Sequence, residues 1–360
     1  MNDRIPLVRG YKLTQTEKQL LQATLLQGQA ALSAWKQWRS SVDIEVLDSD
    51  SYALLPQLYQ NLLAHDVKDV HMARLKGIYR RNWYADQLKL KYLKGILSDL
   101  NDVGIPAIVL GDAAFCSDRG NESNQVENYR PISSFHLLVH GDRLEKTIQR
   151  LQEVNWHTHD VLTKQFIQLQ DDQKQRLYLQ GHLFWAIPQD YTDEQVWQNA
   201  TADWSDVAGW RLSPTDQFLD RCARMFFRQR SRQIYGIADA FLLVRKSGND
   251  LDWMRLITQA QRYQMILPVR NMLTLLHQVL QLSVPSWVLS ALLQMPIAQT
   301  EWLNYQVLAE DQRSRVYSIL AQGIRPLNYL ETRLLRLKHH AFPGKQILKN
   351  LLIAKKSAFE

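Results

Sequence analysis

Cysteine is nearly missing from this sequence. Two thiols, Cys116 and Cys222, in 360 residues supply no disulfide framework and fit a reducing compartment. Long apolar runs are missing too. None approaches the ~18 residues of a membrane-spanning helix, and the opening MNDRIPLVRGYKL has no apolar signal-peptide core. The expectation is a cytoplasmic protein with no membrane partner. No period of 20–50 residues recurs, which excludes a solenoid. Charge of one sign does not dominate either: a net +7 and a pI near 9.3 are modest for this size, with Asp and Glu interspersed among the bases. That pattern favours an ordinary soluble surface over a dedicated nucleic-acid surface.

What is present is an ordinary folding chain, 46% hydrophobic and 22% charged, long enough to divide into subdomains. The expected division is a helical region over 1–100, an α/β domain over 101–200, a helical region over 201–295, and a helical extension with a basic tail over 296–360. Thr14 with Glu17 three residues on is a capping box that starts a helical stretch over 14–39. A helix follows over Tyr52–Leu63. A longer one runs from His71 to Leu100, its apolar stripe reading Leu75, Ile78, Tyr79, Trp83, Leu90, Leu93, Leu97 and Leu100. Arg74, Lys76, Arg80, Arg81, Lys89, Lys91 and Lys94 fill its other positions, a solvated face or a phosphate stripe. Ser213-Pro214 caps a later helix through Phe218, Cys222 and Phe226, and others follow through Ile237 to Leu242, from Asp252, and over Leu267–Leu282. The terminal bases Arg333, Arg336, Lys338, Lys345, Lys349, Lys355 and Lys356 read as a mobile tail.

The chain is organised around 104–139. Ile105–Leu110 and Phe135–Val139 have strand length, and the first passes through Gly111-Asp112 into a helical turn that Asp112 is expected to cap. A helix over Arg143–Glu153 and strands over Trp156–Leu162 and Arg176–Trp185 complete a small mixed sheet. A glycine turn beside a second strand is where nucleotide-handling folds place a phosphate.

Several stretches in this order carry a resemblance: Ala53-Leu54-Leu55-Pro56-Gln57-Leu58-Tyr59, Gly104-Ile105-Pro106 with Val109-Leu110-Gly111, Arg130-Pro131-Ile132-Ser133 through Val139, Leu212-Ser213-Pro214-Thr215-Asp216, and Tyr235-Gly236-Ile237-Ala238-Asp239. Over roughly 50–285 the chain resembles the bacterial uncharacterised nucleotidyltransferase family of the polymerase-β-type superfamily. The resemblance implies an α+β fold, a small mixed nucleotidyltransferase-like sheet domain flanked by N- and C-terminal helical regions. It also implies Mg²⁺ held by two carboxylates two apart on one strand and a third on a neighbour. In this sequence those places fall on Ser134, His136 and Gln180. The expectation is therefore a pseudoenzyme that has lost its metal site, needs no cofactor, and binds a nucleotide or a protein. The alternatives are an active enzyme using Mg²⁺ and a nucleoside triphosphate through Asp112 or another displaced carboxylate, and, more weakly, a nucleic-acid binder. Candidate nucleotide contacts are Gly111, Asp112, Arg130, Ser133, Ser134, His136 and His182. Arg221, Arg224 and Arg228 share one helical face as a basic patch. His136, His140, His157, His159 and His182 gather in the central segment, but scattered histidines are more often hydrogen-bonded than metal-ligating.

Overall fold

The computed structural model describes residues 13–116, 131–184, 193–202, 209–227 and 234–309. Four helices lead: α1 (Gln15–Leu25), α2 (Gly28–Ser41), α3 (Ser49–Ala53) and α4 (Leu55–Ala64). The capping box is formed, with Glu17 N–H donating to Thr14 Oγ1 at 3.2 Å and Thr14 N–H to Glu17 Oε2 at 2.6 Å. The single stretch expected over 14–39 is two helices. Leu26 and Gln27 are extended, and Gly28 takes φ +61°, a left-handed turn that reverses the chain.

The 31-residue α5 (Met72–Asp102) joins the two parts of the core. Its first half puts Leu75 and Ile78 into the core shared by the helical regions. Its second half puts Leu90, Leu93, Ile96, Leu97 and Leu100 under the sheet. Between them Trp83, expected on the apolar stripe, is 44% exposed, because neither core reaches the middle of the helix.

The sheet is six-stranded and mixed, in the order β3-β4-β5-β2-β1-β6. The strands are β1 (Ile108–Leu110), β2 (Phe135–Leu138), β3 (Trp156–Thr163), β4 (Phe166–Asp171), β5 (Arg176–Gln180) and β6 (Trp210–Arg211). β1 pairs antiparallel with β2 and parallel with β6; β2 runs parallel to β5. The first strand is shorter than expected, since Gly104 takes φ +70° and Pro106 has no N–H for a ladder. The long strand expected to Trp185 ends at Gln180, and Trp185 lies outside the described residues. Both β4 and β6 were unexpected.

Side chains alternate across this sheet. Val109, Leu137, Leu177 and Leu179 face α5 and α6 (Leu144–Glu153), in one core. Ile108, Leu110 and Leu138 face the other way, into the helical core. After α7 (Glu194–Gln198) and β6, that core is completed by α8 (Pro214–Phe227), α9 (Ile234–Ser247), α10 (Trp253–Arg262), α11 (Ile266–Leu280), α12 (Ser286–Gln294) and α13 (Gln299–Ala309). The fold is α+β, a mixed sheet flanked by helices. The basic tail beyond residue 309 lies outside the described residues.

One buried carboxyl ties α13 to α11. Glu301 Oε1 accepts the Leu267 N–H at 2.7 Å, while Oε2 is buried without a hydrogen-bond partner among the described residues. Burial, opposed by the Leu267 N–H and the Arg270 charge, pushes this carboxyl up from its ordinary 4.5 to about 7. The folded chain therefore holds this proton more tightly than the unfolded chain. The stabilising contribution is full below about pH 4.5 and is lost as pH rises to about 7, at up to ~1.4 kcal/mol per pH unit. Urea midpoints measured at pH 5.5 and 8 are expected to fall with pH in the wild type and to fall less in Glu301→Gln. An equal fall in both proteins would contradict the assignment.

Candidate functional site

The site is built where β2, β5 and α8 meet. Ser134 precedes β2, and His136 lies two residues on, so both point to the same sheet face. Because β2 and β5 are parallel in register, with His136 opposite Tyr178 and Leu138 opposite Gln180, the Gln180 side chain joins that face. All three are buried, at 9%, 2% and 0% exposure for Ser134, His136 and Gln180. Ser134, His136 and Gln180 thus share one face of the sheet, in the interior of the protein.

Arg224 of α8 reaches down onto this face. Its Nη1 lies 3.3 Å from His136 Nδ1, its Nη2 donates to Gln180 Oε1 at 3.3 Å, and its Nε donates to Asp220 Oδ2 at 2.7 Å. A guanidinium can only donate, so Nδ1 of His136 accepts and carries no proton. The proton of a neutral imidazole then sits on Nε2, which donates to Ser134 Oγ at 3.0 Å. Gln180 is fully used as well: its Nε2 donates to the His182 and Leu183 carbonyls at 3.1 and 3.2 Å. The His136 ring stacks on Tyr178 with centroids 4.6 Å apart. Gly111, at φ +66°, makes room for it, since a Cβ there would stand 3.1 Å from His136 Cδ2.

One turn earlier on α8, Arg221 is 2% exposed. Its Nη1 lies 3.2 Å from Asp239 Oδ2 on α9, and its guanidinium sits 4.8 Å over the Phe115 ring. Its Nε and Nη2 are buried with no acceptor among the described residues. Of the basic patch expected on one face of α8, Arg221 and Arg224 are interior and paired with Asp239 and Asp220, because α8 lies between the sheet and its neighbouring helices. Arg228 and Arg130 lie outside the described residues.

A family model described as an uncharacterised nucleotidyltransferase matches residues 50–281. The chain belongs to that family. A comparison with curated proteins found no match. Two of the stretches that carry the likeness, 212–216 and 235–239, place α8. Ser213 caps it, accepting the Asp216 N–H at 3.2 Å, and Asp216 Oδ2 accepts the Ser213 hydroxyl at 2.7 Å. Arg255 Nη2 from α10 donates to both Asp216 oxygens at 2.9 Å. Gly236 lets α9 approach, since a Cβ there would stand 2.9 Å from Met225, and Asp239 on the same helix meets Arg221.

The other candidates go elsewhere. Asp112 does not cap the turn Ala113–Phe115; its Oδ2 accepts the Ser133 N–H at 3.0 Å and the Ser133 hydroxyl at 2.7 Å. The short 3-10 turn leaves the carboxylate pointing across to the start of β2. His182 Nδ1 lies 3.2 Å from Asp193 Oδ2, His140 stacks on Trp197, and His157 lies 3.5 Å from Asp172 at the sheet edge. Among the described residues no group of three or more His, Cys, Asp or Glu is placed to hold a metal ion. Cys116 and Cys222 are both buried, and burial pushes the Cys222 thiol well up. Sequence reasoning missed Asp220, Asp239 and Phe115; the first lies four residues before Arg224, a spacing that marks an intrahelical ion pair.

Proposed function

We propose that this family member binds a nucleotide through its phosphates without a catalytic dication, with the Arg224 guanidinium standing in the metal's place. The observation that carries this reading is the Arg224 fork on His136 and Gln180. A hard dication needs oxygen ligands, carboxylates foremost. Here the three places offer a hydroxyl, a neutral imidazole and an amide, and the Nδ1 and Oε1 acceptors already face a fixed positive charge. These residues do not fit Mg²⁺. Nearby carboxylates are engaged otherwise: Asp220 with Arg224, Asp239 with Arg221, and Asp112 with Ser133. That disfavours transfer of a nucleoside monophosphate through a displaced carboxylate.

Arg221 supports phosphate as the ligand. Two buried N–H donors without acceptors cost about 1–3 kcal/mol each, which phosphate oxygens arriving beside Phe115 would offset. Isothermal titration of the wild type and Arg221→Gln with each nucleoside triphosphate tests this reading. At least one triphosphate is expected to bind the wild type, at least tenfold more tightly than Arg221→Gln. No binding by any triphosphate, or equal affinity in the variant, would overturn it and leave a protein partner as the better reading.

A further inference from the structure

Beyond the sheet site, the middle of α5 presents an exposed face of a different chemistry. From 73 to 94 the helix carries seven Lys and Arg and one acidic residue, Asp86. Asp86 is 2% exposed and accepts the Ile132 N–H at 2.9 Å, so it is not part of the exposed face. Lys76, Arg80, Tyr84, Leu88 and Lys91 recur at three or four residues and form one continuous exposed stripe, each position about 6 Å or less along the axis from the last. Trp83 flanks it beside Arg80. Tyr84 is 63% exposed, Leu88 55% and Trp83 44%, which is unusual for side chains of this size. Lys76, Arg80 and Lys91 make no ion pair among the described residues, whereas Arg74 pairs with Glu45 and Arg81 donates to Tyr52.

We infer that this face binds single-stranded nucleic acid, with Trp83 and Tyr84 stacking on bases and Lys76, Arg80 and Lys91 meeting phosphates. Cations interleaved with exposed aromatic rings on an open helix match a strand that offers phosphates and π-faces in alternation. Charge excludes two other occupants. A second copy would bring the same basic stripe against this one. The C-terminal segment over 310–360 carries ten Lys and Arg against four Asp and Glu, so it is repelled by the stripe and adds to the attraction for a polyanion. An acidic protein would satisfy the cations but gives the rings no reason to be bare.

The test is fluorescence anisotropy of the full chain with a labelled 16-nucleotide single-stranded RNA of mixed sequence, over 50–300 mM salt. Binding is expected at low salt and should weaken as salt rises. The Trp83→Ala/Tyr84→Ala double variant should lose about tenfold in affinity at every salt concentration. Arg80→Glu/Lys91→Glu should lose affinity and also show a shallower salt slope. All four side chains are exposed, so unchanged circular dichroism separates these effects from misfolding. Three results would overturn the inference: no binding at 50 mM salt, affinity unchanged in both double variants, or polyglutamate competing as well as unlabelled RNA. The last would assign the face to an acidic protein. None bears on nucleotide binding beside Arg221, which is read separately by calorimetry.

Discussion

Arg224→Ala is expected to lose about 3–5 kcal/mol of stability, read as a drop in urea midpoint. The guanidinium and its partner Asp220 are both almost fully buried, with side-chain exposures of 8% and 7%. Truncating the arginine leaves a carboxylate in the interior without its counter-charge, and it strips Gln180 Oε1 and His136 Nδ1 of their Arg224 donor. Lysine is a poor substitute, because a single ammonium cannot span the three acceptors that the planar fork reaches. The paired variant Arg224→Met/Asp220→Leu separates loss of charge balance from loss of shape. Removing both charges together is expected to recover most of the deficit, since well-packed apolar residues replace buried ion pairs at little cost. A single-variant loss below about 1 kcal/mol would mean that Arg224 does not hold these buried contacts to β2, β5 and Asp220.

Asp216→Ala is expected to be almost as damaging, at about 3 kcal/mol or more, although it lies away from the sheet site. Asp216 is 1% exposed and joins three things at once: the Ser213 cap, the first turn of α8, and Arg255 of α10. Burial lifts its carboxyl above the ordinary value against the pull of Arg255 and Ser213. Without the carboxylate, Arg255 keeps a mostly buried charge with only Ser213 to receive it among the described residues. Ser213→Ala, which removes the cap alone, should cost about 1 kcal/mol. Urea denaturation of the two variants side by side reads the difference. If Asp216→Ala were no worse than Ser213→Ala, the clamp between α8 and α10 would be immaterial. The family stretch 212–216 is on this account a structural fastening for the helix that carries Arg221 and Arg224.

Much of the fold was legible where local chemistry decides it. The capping box at Thr14, the cap at Ser213 and the strand at Phe135 need only neighbouring residues to be understood. The strand β4 was missed although Phe166–Asp171 alternates Ile167 and Leu169 against Gln168 and Gln170. Asp112 was misjudged because its true partner, Ser133, comes near only when β1 and β2 pair. The site was legible by halves. The resemblance put the family's carboxylate places at Ser134, His136 and Gln180, which the sheet register brings to one face. Nothing local could join them to Arg224, which lies 88 residues from His136 and 44 from Gln180. The long helix α5 shows the opposite failure. Trp83 has the spacing of a core residue, and only the separation of the two cores leaves it in solvent.

The claim on which this account turns is that a guanidinium has taken the place of the metal. Manganese titration followed by electron paramagnetic resonance, with a non-hydrolysable triphosphate present, tests it most directly. The account predicts that adding the wild-type protein leaves free Mn²⁺ no lower than the triphosphate alone does, while Arg221 still holds the nucleotide. Tight uptake of one Mn²⁺ per chain, lost in Ser134→Ala/His136→Ala, would contradict it and return the protein to metal-dependent chemistry.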